Sequence, residues 1–179
     1  MWTRAGGERR RGGGSGMSSK VTVERGQLRF MAAHMATFRG QVEPLHGHNY
    51  AVIVECEGSL TEDCWVIDFA EAKAVMKALC DQLDHKFLLQ RPSALLTAVE
   101  HEESWELVAE GRRRYVFPKC DVIALPIGNS TAEEIARWLH GEFCRALRGR
   151  GITNIANVTV GVEEAPGQAG WFTGDFSGA

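Results

Sequence analysis

The stretch EPLHGHNYAVIVECEG, residues 43–58, places two histidines, His46 and His48, at the mouth of an alternating apolar run, with a carboxylate, Glu43, just upstream. On a strand, residues i and i+2 project from the same face, so the two imidazoles emerge together and Gly47 leaves room between them. A third histidine, His34, ends the preceding alternating run, and a hairpin returning through MATFRGQVEP brings it alongside. Three neutral imidazoles on one open face make a catalytic zinc site, with the fourth position left for water or substrate. A structural zinc site usually takes four ligands, often cysteines, and no cysteine lies near these histidines in sequence. Asp84 and His85, in LDHKF, form a second pair, in which the carboxylate can orient the imidazole as a proton shuttle. His101 and His140 are expected at the surface.

The elements that must carry these groups follow from periodicity. KVTVERGQLRFMAAH alternates from Lys20 onward and predicts a strand pair or one long bulged strand. NYAVIVECEG predicts a strand ending in a turn. A short strand is expected at WVI, residues 65–67. Asp68 then caps a helix running to about Gln82, with Val75, Leu79 and Leu83 on one face. Around residues 88–119 an insertion is expected, with SWELVAEGRRRYVF as a hairpin, and CDVIALPI is a further strand. GNSTAEEIARWLHGEFCRALRGRGI predicts a second helix, capped by Ser130 or Thr131 and stopped by Gly149 or Gly151. Glu133 and Glu134 suit the positive end of its dipole. NIANVTVGVEEAP closes the chain as a strand. The order is roughly ββαββαβ, and two helices among antiparallel strands indicate an α+β fold.

Bulk properties narrow the class. A chain of 179 residues with 44% hydrophobic and 24% charged residues can build a real core. A net charge of −3 gives no reason to expect a nucleic-acid partner. No apolar run approaches the roughly 18 residues of a membrane span, and no leader-like apolar stretch opens the chain. Five scattered cysteines without a C-x-x-C pair suit a reducing compartment, so a cytoplasmic location is expected. Residues 1–18 read as a disordered, basic Gly/Arg-rich tail, and residues 19–179 as a single domain.

FMAAH, LHGHNY, VIDF, LDH, NSTAEEIA and VTVGVEEAP occur in this order over about Val21 to Phe172. The set resembles the 6-pyruvoyl-tetrahydropterin synthase family, which includes the carboxy-tetrahydropterin synthases. The resemblance implies the tunnelling fold (T-fold): an antiparallel sheet with two helices on one face, closing into an oligomeric barrel as a homotrimer or hexamer. Closure of that kind removes exposed strand edges. It also implies a site between subunits and a small pterin as substrate. His34, His46 and His48 become the Zn2+ ligands, and Asp84 and His85 an acid/base relay offered by a neighbouring subunit. Glu164, in VGVEEAP, becomes the pterin anchor. Its carboxylate can accept two parallel N–H bonds from a pterin ring, and it shares strand parity with Val158, Val160 and Val162. Thr131 is a further pterin contact or simply a helix cap.

The chain departs from the pyruvoyl- and carboxy-forming members at one position. Their general base is a cysteine a few residues before HGH, where this chain has Val42. The next residue, Glu43, gives E-P-L-H-G, which resembles the E-x-x-H-G signature of the type III subgroup. Those enzymes cleave the side chain of 7,8-dihydroneopterin triphosphate to give 6-hydroxymethyl-7,8-dihydropterin, a folate precursor. Glu43 is then the expected catalytic base. Pyruvoyl or carboxy chemistry, or a non-catalytic pterin-binding role, are the alternatives. Lys86, Arg91 and Arg112–Arg114 are candidate triphosphate contacts.

Overall fold

The computed structural model describes residues 18–178, so the expected tail falls almost wholly outside the described residues. The chain forms β1 (Ser19–His34), β2 (Thr37–Phe38), β3 (Gln41–Val42), β4 (His46–Gly58), α1 (Phe69–Leu83), β5 (Lys86–Gln90), β6 (Leu96–Glu100), β7 (Ser104–Ala109), β8 (Arg113–Pro118), β9 (Val122–Leu125), α2 (Ala132–Gly149), β10 (Ile155–Ala165) and β11 (Gln168–Asp175). The main sheet has six strands in the order β11-β10-β4-β1-β5-β9.

β1 is one long strand with a register break against β4 between Glu24 and Arg29. Beyond that break the pairing sets Phe30 opposite Tyr50, Ala32 opposite His48 and His34 opposite His46. Period-two alternation puts Phe30, Tyr50, Val52, Val54, Val158, Val160 and Val162 on one face, all essentially excluded from solvent. Both helices cover that face. α1 contributes Val75, Met76, Leu79 and Leu83, and α2 contributes Ile135, Leu139, Phe143 and Leu147 to the same core. Asp68 caps α1 by accepting from the Ala70 N–H at 2.8 Å, and Thr131 caps α2.

Five expectations need correction. The sheet is mixed, because β5 runs parallel to β1 and β9 parallel to β5. Parallel neighbours need a crossover. Here the three-stranded meander β6-β7-β8 supplies it on the sheet face away from the helices, over a second core of Met35, Val42, Phe87, Leu89, Trp105 and Leu107. The expected hairpin is β7–β8, but residues 86–90 belong to the main sheet, so the meander begins later than residue 88. Residues 65–67 form no strand. Val66 and Ile67 bury their side chains from a turn, and Asn154 satisfies the Val66 carbonyl at 2.9 Å. His140 is buried rather than exposed, with its ring against Phe172 and its Nε2 3.2 Å from the Gly174 carbonyl oxygen. The chain also ends on a hairpin, β10–β11, where a single strand was expected.

Candidate active site

The helix-covered face of the sheet runs out into chemistry at its end. His34 and His46 are cross-strand partners, and His48 stands two residues further along β4 on the same face. Gly47 sits between them because β1 crowds it: a Cβ there would lie 2.9 Å from the Ala32 carbonyl oxygen. The nearest ring nitrogens of the three histidines all fall within 4.8 Å of one another.

Backbone carbonyls orient two of these rings. His34 Nδ1 is 2.8 Å from the Ser130 carbonyl oxygen, and His46 Nδ1 is 2.7 Å from that of Pro44. A carbonyl only accepts, so both Nδ1 atoms carry the proton and both Nε2 atoms present lone pairs. Those two Nε2 atoms are 3.1 Å apart. Two acceptors at that separation repel unless a cation or proton lies between them. Nitrogens bound at about 2.0–2.1 Å to a tetrahedral ion would be separated by roughly 3.3 Å, so the donor set fits a metal. Burial holds His34 down to about 4, with the neighbouring His46 and His48 adding to the effect. The ring is therefore neutral at ordinary pH, the form that ligates.

A cavity of about 430 Å³ opens above these rings. Glu43, from the loop between β3 and β4, lines it, as do Thr131 and Glu133 at the start of α2 and Glu164 from β10. Glu164 is half-buried, and burial is the leading cause that lifts its carboxyl above the ordinary range. Glu133 and Glu43 add to the lift, and His48 and His46 oppose it. Its Oε1 is buried with no completed hydrogen bond, as is the Tyr50 hydroxyl. Tyr50 lies against the His34 and His48 rings, and burial, reinforced by the nearby Glu164 charge, keeps its hydroxyl protonated. Interaction of the Tyr50 hydroxyl with the Glu164 carboxylate adds to that effect, so the two groups lie close to one another.

Val42 and Glu43 are adjacent but face opposite ways. Val42 is 3% exposed in the core beneath the meander, whereas Glu43 looks into the cavity. All five cysteines are free thiols, and none lines this cavity.

Asp84 and His85 are not in the histidine cavity. They follow α1, on the opposite side of β1. Asp84 accepts from the Met31 N–H at 2.7 Å and holds His85 Nδ1 at 2.8 Å. The Met31 bond is the main reason the Asp84 carboxyl sits below the ordinary range. The His85 N–H donates to the Met31 carbonyl at 2.6 Å, and His85 adopts a left-handed backbone, φ +57°. His85 lines a separate cavity of about 540 Å³ with Gly47, His48, Lys86 and Phe117. Its ring is oriented by Asp84 and largely exposed.

The profile of the 6-pyruvoyl tetrahydropterin synthase family matches residues 22–175. This chain belongs to that family. A putative 6-carboxy-5,6,7,8-tetrahydropterin synthase of Methanocaldococcus jannaschii is 33% identical over 142 residues, covering 79% of this chain and 86% of the relative. Among solved structures, 6-pyruvoyltetrahydropterin synthase of Plasmodium vivax, in a variant with a glutamate described as catalytic changed to alanine, superposes with a TM-score of 0.83. It is 30% identical, over 89% of this chain and 99% of that one. The Plasmodium falciparum 6-pyruvoyl tetrahydropterin synthase gives 0.80 at 32% identity, over 88% and 98%. The protein is therefore a pterin enzyme of the 6-pyruvoyl tetrahydropterin synthase family with its T-fold, and its three histidines form a cluster able to bind a metal.

Sequence reasoning missed the groups that hold the site. The Ser130 carbonyl fixes His34, Gln90 accepts from the Ser130 N–H at 2.7 Å, and Asn129 ties down β2 through Thr37. Gln90, at 1% exposure, was the available signal: a polar residue ending an apolar strand that is buried must be hydrogen-bonded. No helix among the described residues is long and apolar enough to cross a membrane.

Proposed function

We infer that this protein cleaves the side chain of 7,8-dihydroneopterin triphosphate to 6-hydroxymethyl-7,8-dihydropterin, with Glu43 as catalytic base. The observation that carries this is the opposite facing of Val42 and Glu43: the cavity above the histidines receives a carboxylate where a thiol would otherwise act. The Plasmodium vivax neighbour, in which a glutamate is described as catalytic, supports the same assignment.

His34, His46 and His48 would hold Zn2+, which polarises the side-chain hydroxyls and stabilises developing alkoxide charge. Glu164, on the cavity wall, accepts two N–H bonds from the pterin ring. Thr131, at the cavity wall, is a further pterin contact. Glu43 takes the proton of the second side-chain hydroxyl. The bond between the first and second side-chain carbons then breaks, leaving its electron pair on the ring side. The outer fragment departs as an aldehyde bearing the triphosphate, and the first carbon takes a proton to become hydroxymethyl. His85, oriented by Asp84, relays protons on the ring side of a neighbouring subunit's site, within a homotrimer or hexamer. Its exposed ring and the two edges of the sheet, β9 and β11, support that assembly.

The name of the Methanocaldococcus relative favours a second reading, formation of 6-carboxy-tetrahydropterin. With no cysteine at the cavity, that chemistry would need Glu43 as its base as well. Incubation of the zinc-loaded protein with 7,8-dihydroneopterin triphosphate, followed by mass spectrometry, separates the two. A hydroxymethyl product establishes carbon–carbon cleavage, and a carboxy or pyruvoyl product overturns it.

A further inference from the structure

Glu43 sits in a loop of three residues between β3 and β4, where a regular element does not fix its backbone. Three contacts do. The Glu43 N–H donates to the Ala36 carbonyl at 2.9 Å, across the β2–β3 hairpin. The Val42 N–H donates to Glu110 Oε1 at 2.8 Å. The Arg113 guanidinium donates to the carbonyls of Val42 and, at 3.5 Å, of Glu43. The last two groups come from one place, the β7–β8 turn of the meander.

That turn is built to present them. Glu110 and Gly111 both take left-handed backbone conformations, φ +53° and +69°. Such a conformation is disfavoured for a glutamate. Glu110 also stays ionised: its bond to the Val42 N–H is the leading cause that lowers its carboxyl, and Arg112 and Arg113 add to it. Arg112 lies 3.1 Å and Arg113 3.6 Å from its Oε2. The backbone of Val42 is therefore gripped on both sides, its N–H by the Glu110 carboxylate and its C=O by the Arg113 guanidinium.

We propose that Glu110 and Arg113 are positioning residues that lock the Val42–Glu43 backbone and aim the Glu43 carboxylate at the reacting hydroxyl. The proposal rests on Glu43 being the base. It gives the meander a positioning task in addition to covering the sheet, and it assigns Arg113 to the Glu43 loop.

The test uses zinc-loaded full-length protein with 7,8-dihydroneopterin triphosphate. Glu110→Ala and Arg113→Ala should each lower kcat roughly 10–100-fold, the scale on which a displacement of about 1 Å penalises chemistry. KM, zinc content and Tm should change little. Glu110→Gln keeps an acceptor for the Val42 N–H and should rescue most of the loss. In a Glu43→Ala background Arg113→Ala should add nothing, because there is no carboxylate left to aim. Hydrogen exchange offers a readout independent of turnover: the amides of Val42, Glu43 and Leu45 should exchange faster in Arg113→Ala, with the rest of the chain unchanged. Losses in KM, zinc and Tm together, or additive losses with Glu43→Ala, would overturn the clamp and leave the base intact. Near-normal turnover of Glu43→Ala alone would instead sink the base, whatever the exchange pattern shows.

Discussion

His34 and His46 face each other across β1 and β4 with their Nε2 atoms 3.1 Å apart, and each ring is turned that way by a backbone carbonyl on its far nitrogen. The carbonyls of Ser130 and Pro44 select the tautomer, and the strand register sets the separation. The result is a pair of lone pairs that a cation must reconcile, with His48 adjacent to complete three ligands.

Protein purified with zinc present should therefore carry about one zinc per chain. His34→Ala and His46→Ala should each lose nearly all of it while keeping the far-ultraviolet dichroism of the fold. Elemental analysis decides. Stoichiometric zinc in the His34→Ala/His46→Ala double variant would place the metal elsewhere.

Stability of the metal-free protein should depend on pH through His34. An ordinary imidazole takes its proton near 6.5, but in the folded chain burial lowers His34 to about 4. Between those values the unfolded chain binds a proton that the folded chain refuses, so stability falls as pH drops through that window. Thermal melts of chelator-treated protein should show this slope, and His34→Gln should flatten it.

Glu43→Ala should lower kcat by roughly 10²–10⁴-fold, the usual contribution of a general base, with zinc content unchanged. Val42→Cys in that background should restore nothing, because position 42 packs into the core beneath the meander, away from the cavity. Recovery of pyruvoyl or carboxy product in the double variant would contradict the opposite facing of the two residues.

Glu164→Gln replaces a two-acceptor carboxylate with one acceptor and one donor. A charge-assisted bidentate pair is worth about 1.5–3 kcal/mol, so KM should rise roughly 10–100-fold. The effect on kcat should be smaller. Steady-state kinetics separate the two, and an unchanged KM would remove Glu164 from pterin binding.

If His85 serves a neighbouring subunit, Glu43→Ala and His85→Ala homo-oligomers should each be nearly inactive. Co-assembled from both chains, a fraction of sites would pair an intact Glu43 with an intact His85 from the other copy. Activity should return on mixing after reversible dissociation; its absence would show that His85 does not serve a neighbouring subunit, and near-normal activity of His85→Ala alone would put Asp84 and His85 outside the mechanism.

What the sequence determined by itself is local. Parity placed His46 and His48 on one face, and Glu164 with Val158, Val160 and Val162, because strand alternation is a property of neighbouring residues. The caps Asp68 and Thr131 were legible for the same reason. The tertiary structure decided everything that depended on distant pairing. The register break after Glu24 determines that His34, and not a neighbour, meets His46. The meander's crossover made β5 and β9 parallel, buried Val42 and brought Glu110 and Arg113, nearly 70 residues away in sequence, against the Glu43 loop. Burial of His140 and the turn at residues 65–67 were likewise set by what packs over them. Periodicity names the face a side chain leaves from, but only the packed chain determines what stands opposite it.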